Sequence, residues 1–255
     1  MKRKERVRYY HSFDEDFVAA KDQSYRVGED YQWVRTDRRS RILSALTYAV
    51  AFVLSSVGCR IFLRMRFRDR NKLKAVGKTG AFLYANHTQP VGDVFLPALA
   101  VVPRRVFVVV SPANLSIPVI GKLLPYLGAL PTADSVSGLR KLTQAMEYRL
   151  EQKKWIVIYP EAHVWKYYTG IRPFPETAFR FPVKMGKPAY CMTTTYQKRR
   201  FGKKPRTVVY LDGPFFADGE GNVRQQTVRL RDQVFACMEQ RSRRSNCEYI
   251  PYQKI

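Results

Sequence analysis

The chain has 255 residues, with 45 Lys and Arg against 21 Asp and Glu, for a formal net charge of +24. Its hydrophobic fraction of 45% and aromatic fraction of 13% suffice for a packed core, which excludes global disorder, and the length suits one large domain or two small ones. The charge asks for an anionic partner, whether nucleic acid, acidic membrane, phosphorylated substrate or acidic carrier protein, and composition alone does not choose among them.

Residues 1–41 are polar, with 11 basic and 8 acidic side chains and scattered aromatics such as Tyr9, Tyr10, Phe13 and Trp33. They read as an ordered or half-ordered extension. No secretory signal peptide is expected, because the first apolar run opens only at Ile42. That run, Ile42 to Cys59, holds 18 residues without a charge. As a helix it is about 27 Å long, just short of a bilayer core of about 30 Å. A marginal span, an interfacial helix and a core helix all stay open. The core reading is the weakest, since only Ser44, Thr47, Ser55 and Ser56 could form a polar face. Arg35, Arg38, Arg39 and Arg41 precede the run, and eight basic residues against Asp69 alone fill Arg60 to Lys78. Basic flanks on both sides give no orientation for a span. They suit a helix dipped into one leaflet, with Arg60, Arg64, Arg66 and Arg68 on lipid phosphates. Residues 42–65 are therefore expected to form a membrane-associated helix, and 66–255 the main domain.

From about Lys72 the pattern alternates. Ala81–Ala85, Arg105–Val110, Trp155–Pro160, Pro188–Tyr196 and Arg206–Pro214 read as strands. Asp93–Val101, Val136–Lys153, Phe174–Met185 and Gln225–Arg241 read as helices, with a short apolar segment at Gly121–Pro131. Such alternation predicts an α/β layered domain. The turn between the last two strands, Lys198 to Arg206, packs six positive charges into nine residues. It is either a solvated hairpin tip or a contact for lipid head groups or an acidic carrier protein. Cys59, Cys191, Cys237 and Cys247 have neither zinc-ligand spacing nor a neighbouring His, so free thiols in a reducing compartment and no metal are expected.

Two of the three histidines follow strand ends and sit near carboxylates. His87 has Asp93 six residues on, at the start of a helix, and His163 comes two residues after Glu161. Ligands of α/β sheets bind at strand ends, and His with a nearby Asp suits a general base with an orienting carboxylate.

Taken in order, Asn86-His87 with Asp93, LPYLGALPT, Pro160-Glu161-Ala162, Arg172-Pro173-Phe174, AFRF and GKPAY resemble the blocks of the PlsC-like glycerolipid acyltransferases over roughly Arg66 to Tyr196. The resemblance implies a mixed sheet flanked by helices in the PlsC-like fold, with 66–255 as the catalytic domain. It implies O-acyl transfer from acyl-CoA or acyl carrier protein, as co-substrate, to a lysophospholipid-like hydroxyl, with no cofactor. His87 would be the base and Asp93 its orienting partner. Asn86, Gly128, Pro160, Glu161, His163 and Arg172 would shape or bind the substrate site. The sequence departs from the family at three points. The spacing is His-x5-Asp where the family has four intervening residues, and Gly92 is expected to let a bulged turn absorb the extra one. The block after Pro160 reads EAHV without its arginine, and Gly128 is followed by ALPTADS without one. A catalytically inactive lipid-binding relative therefore stays open. A basic nucleic-acid-binding protein also stays open on charge alone, although no nucleic-acid motif is present and none is expected as a partner. A serine hydrolase lacks its G-x-S-x-G. The expected location is the cytoplasmic face of a membrane, peripheral or monotopic, on anionic phospholipid.

Overall fold

The computed structural model describes residues 7–18, 22–61, 65–89, 92–202 and 204–255, with Arg60 described in its backbone alone. Arg64, expected to touch lipid, lies outside the described residues, as does Lys203 of the basic turn. In chain order the elements are β1 (Arg8–Tyr10), α1 (Arg38–Ile61), β2 (Arg66–Arg68), β3 (Ala81–Ala85), α2 (Gly92–Val101), β4 (Val106–Val110), α3 (Ile120–Leu127), β5 (Ala129–Pro131), α4 (Val136–Glu151), β6 (Trp155–Ile158), α5 (Arg180–Met185), β7 (Ala189–Gln197), β8 (Arg206–Phe215), α6 (Val223–Ser242) and β9 (Tyr252–Lys254).

Seven strands form a mixed sheet in the order β2-β8-β7-β3-β6-β4-β5. Every pair is parallel except β7 with β8. Strands covered on both faces read as continuous apolar runs, and β3 is buried at all its positions. Its alternation divides the core. Phe82 and Tyr84 face a layer built by α4 and α6, with Leu142, Met146, Leu230 and Val234. Ala81, Leu83 and Ala85 face α2, through Leu96 and Ala100. Ser135 caps α4, its Oγ accepting the Gly138 N–H at 3.0 Å, and Asn222 with Gln225 form a capping box at α6.

The parallel arrangement gives the sheet two distinct ends. The upper end collects the C-termini of β3, β4, β5, β6 and β7, and so the loops after them. Because β8 runs back, the basic turn Lys198–Arg206 is also at the upper end, and so is the start of β2, where Arg66 pairs with Val208. The lower end collects Arg105, Gly128 and the C-terminus of α4.

Helix α1 is the one helix among the described residues long and apolar enough to cross a membrane. It lies along the domain, and its polarity is inside-out. Ser44 Oγ donates to the Tyr126 carbonyl at 2.6 Å, the Tyr48 hydroxyl accepts the Val106 N–H at 3.4 Å, and Ser55 and Cys59 are buried. Leu46, Val50, Val53, Leu54 and Val57 point outward, Leu54 with 67% of its surface exposed.

Four segments differ from the sequence expectation or add to it. The helix expected over 174–185 begins only at Arg180, after a 3-10 turn at Thr177–Phe179. Pro173 and Pro175 lack the N–H a helix needs and hold the chain extended before them. Strands β2 and β5, three residues each, are too short to show a period. The extension is folded onto the domain: β1 pairs with β9, Tyr10 is buried, and Trp33 joins the α4-side core.

Candidate functional site

The loop leaving β3 is pinned from both sides. Asn86 Nδ2 donates to the Thr194 carbonyl at 3.0 Å, and its Oδ1 accepts the Thr194 N–H at 2.8 Å, so the side chain acts as one more rung between β3 and β7. The Thr88 and Gln89 side chains both meet the Tyr196 hydroxyl, at 2.7 and 2.9 Å. The backbone carbonyls of His87 and Thr88 accept the N–H groups of Trp165 and Tyr167.

His87 Nδ1 lies 2.8 Å from Asp93 Oδ2. That oxygen also accepts the Gln89 N–H at 2.7 Å, so it is an acceptor and Nδ1 is the donor. The neutral ring then carries its lone pair on Nε2. The ring stacks on Tyr159, centroids 4.4 Å apart, and the Tyr159 hydroxyl donates to the Asp93 carbonyl. The His87 side chain keeps 20% of its surface open, while Asp93 keeps 1%. Despite the long spacing, His87 and Asp93 meet. Asp93 N–H bonds the Gln89 carbonyl at 2.9 Å at the mouth of α2, and the Asp93 side chain reaches back to His87. Residues 90–91, within this stretch, lie outside the described residues. Burial pushes the Asp93 carboxyl above its ordinary value, and the hydrogen bonds from His87 and the Gln89 amide oppose the rise.

Glu161 stands behind His87. Its Oε2 accepts the His87 backbone N–H at 3.0 Å and the Arg172 guanidinium at 3.1 Å, and Oε1 accepts the Arg172 N–H at 3.0 Å. Both side chains of this ion pair are buried. Arg172 also donates to the carbonyls of His163 and Phe13. The His163 ring lies at the surface, 3.5 Å from Asp16. Pro160 is buried between β6 and Glu161.

The structure thus gathers Asn86, His87, Asp93, Pro160, Glu161, His163 and Arg172 at the upper end. Gly128 is not brought there. It closes α3 at the lower end with φ of 100°, and a Cβ on it would come within 2.8 Å of the Val106 carbonyl, so its glycine answers a turn. Arg66 and Arg68 are exposed on edge strand β2. Tyr159, Gln89 and Trp165 were not singled out from sequence, because their roles depend on which strands adjoin. Among the described residues one group of possible metal ligands converges, Cys191, Asp212 and Cys237, with donor atoms within 4.8 Å of one another. Lys72 and Arg241 already hold Asp212, at 2.5 and 2.6 Å, and would repel a cation.

Residues 64–195, just over half of the chain, match the family model described as Acyltransferase. No match was found among curated proteins. Among solved structures, the chain is similar to the 1-acyl-sn-glycerophosphate (LPA) acyltransferase PlsC from Thermotoga maritima, at 14% identity and a TM-score of 0.54, over 84% of this chain and 87% of that one. The likeness is one of fold: a mixed sheet flanked by helices.

Proposed function

The chain belongs to the Acyltransferase family, and from that premise we propose that it is a membrane-seated glycerolipid O-acyltransferase. It moves a fatty acyl chain from acyl-CoA or acyl carrier protein to a lysophospholipid-like hydroxyl. The observation that carries this reading is the His87–Asp93 pair, 2.8 Å apart with Nε2 left open at the strand ends. Nε2 takes the proton of the acceptor hydroxyl as its oxygen attacks the thioester carbonyl. Asp93 stabilises the imidazolium that forms. When the tetrahedral intermediate collapses, the C–S bond breaks and the leaving thiolate recovers the proton from His87.

The role of Glu161 and Arg172 in this reading is to hold the His87 loop, because every contact they make is internal. Recognition of an acceptor phosphate falls to surface side chains of the same loop, His163 and Lys166. The activity named for the Thermotoga protein makes a 1-acylglycerol phosphate the first acceptor to test. Four features support a seat on one leaflet with the apolar side of α1 and the upper-end loops toward lipid. They are the bare face of α1, exposed Val119 and Ile120 before and at the start of α3, Val94 beside Asp93, and Phe201 in the basic turn, 77% exposed. A helix bonded along its length to the domain suits the interface better than a span.

The test is incubation of the purified protein with radiolabelled acyl-CoA and a panel of 1-acylglycerol phosphate, other lysophospholipids, glycerol phosphate and a sterol. A labelled phospholipid is expected, and His87→Ala should lower its rate by about 10²–10⁴. An active His87→Ala protein would remove the mechanism. Labelling of no acceptor would leave a lipid-binding relative.

A further inference from the structure

A cavity of about 660 Å³ is at the lower end of the sheet, where the α4 C-terminus, the starts of β4 and β5 and the N-terminus of α1 meet. Val106 and Ala81 both pair with Trp155 across the sheet, so Arg105 is level with the start of β3 and His87 lies beyond its end. At about 3.3 Å per residue the cavity is roughly 20 Å from the imidazole. It is not the reaction site.

Its lining is one-sided in charge. Arg35, Arg41, Arg105, Arg149 and Lys154 line it, and among the described residues no Asp or Glu does. The nearby carboxylate of Asp37 is turned to the α1 N-terminus, where it accepts the Ser40 N–H at 2.8 Å. Arg105 and Arg149 are the inner pair. Arg105 spends one nitrogen on Ser44 and the Tyr126 carbonyl, at 2.6 and 2.9 Å. Arg149 has Gln152 at 3.4 Å, and both guanidinium carbons sit over the Phe107 ring, at 5.2 and 4.5 Å. Their Nε groups are buried with no hydrogen-bond partner among the described residues. Burial lowers the pKa of both groups, and Arg149 adds to the lowering at Arg105. Like charges held together away from water cost stability unless a counter-charge joins them.

We propose that this cavity is a second, non-catalytic anion site that takes a phosphoryl group, carried by a phospholipid head group or by a soluble phosphate compound. Planar guanidinium forks match phosphate oxygens in pairs, and the volume is that of a ligand pocket. Tyr31, Tyr126 and Tyr148 offer ring faces for what the phosphate carries. The N-terminal dipole of α1 adds favourable potential at its mouth. Leu43 and Leu46, close behind Arg41 and exposed, place the opening beside the apolar surface of α1, so that a lipid phosphate could enter from the bilayer side.

Calorimetric titration distinguishes the two sources. The probes are inorganic pyrophosphate and monomeric dihexanoyl-phosphatidate, with dihexanoyl-phosphatidylcholine as the zwitterionic control. The wild type should bind at least one anionic probe saturably, with a rise in Tm. Pyrophosphate binding identifies a soluble ligand, and binding of phosphatidate alone identifies a head group. Arg105→Gln/Arg149→Gln should weaken binding by about tenfold or more, and Arg35→Gln/Lys154→Gln at the rim should weaken it less, which keeps the question answerable if the inner variant folds poorly. Phosphatidate is also the product of acylating 1-acylglycerol phosphate, so only binding lost in the Arg variants counts for this cavity, and that loss should be the same on a His87→Ala background. Binding unchanged in both Arg variants, or no binding of either anionic probe above the control, overturns the proposal.

Discussion

Asp93 answers two opposed demands. Burial raises its carboxyl above the ordinary range, while His87 and the Gln89 amide favour the charged form that an imidazolium needs beside it. A carboxyl whose folded pKa lies above the unfolded one contributes stability that is present below about pH 3.9 and lost as pH rises through the folded value. At neutral pH the native carboxylate is therefore a strain on the fold. Asp93→Asn keeps the acceptor for the Gln89 N–H but presents the wrong group to Nδ1. It should lower acyl transfer by about 10²–10⁴ while matching or exceeding the wild-type Tm at pH 7, an advantage that fades on titration to pH 3. A lower Tm at pH 7 would mean that the pair is chiefly structural. Glu161 gives the opposite expectation. Replacing it by Ala leaves Arg172 charged, buried and unpaired and frees the His87 N–H, at a cost of about 3–5 kcal/mol. Thermal denaturation against KM for the acceptor decides the matter: an unchanged Tm with a raised KM would make Glu161 a direct ligand instead of a support.

Helix α1 shows what patterning could and could not convey. Its length and lack of charge were legible, because those are sums over residues. Its orientation was not: Ser44 and Ser55 suggest a polar face, yet they turn inward, where Tyr126 and the backbone of Ala51 accept their hydroxyls, and the apolar face is the outer one. Only the position of α3 decides that. The same limit governs the site. His87 and Asp93 were legible from residue types after a buried strand, whereas the Tyr159 stack and the Glu161 support required the β3–β6 pairing. The inside-out face predicts that Leu46→Glu, Val50→Glu and Leu54→Glu together should abolish co-sedimentation with vesicles of phosphatidylcholine and phosphatidylglycerol. Tm should stay within a few degrees, since none of the three is buried. Retained co-sedimentation would shift membrane binding to the basic turn and Phe201. Deleting the N-terminal residues is a poorer probe, because it also removes Tyr10 and Trp33 from packed surroundings.

Across the whole molecule, the net charge of +24 is distributed by structure more than by sequence. The run after Cys59 is not one patch: Arg66 starts an upper-end strand, while Lys72 is matched by Asp212 and Asp69. The upper end gains the five described cations of the basic turn, and the lower end keeps five around the cavity. Segments from the first and last parts of the sequence meet at the upper end. Strand β1 pairs with β9, and Tyr10, Phe13, Phe17 and Tyr252 surround the Trp165 ring. The Trp165 backbone N–H holds the His87 carbonyl at 3.0 Å, and its indole donates to the Glu15 carbonyl at 2.8 Å. Residues far from the motif in sequence thus brace the loop that carries His87. Tyr10→Ala/Phe13→Ala should cost about 3–5 kcal/mol of stability by loss of buried aromatic surface. If the brace positions His87, acyl transfer measured well below Tm should fall more steeply than the folded fraction, with KM for the acyl donor little changed. Activity that simply tracks the folded fraction would make the clamp a matter of stability alone.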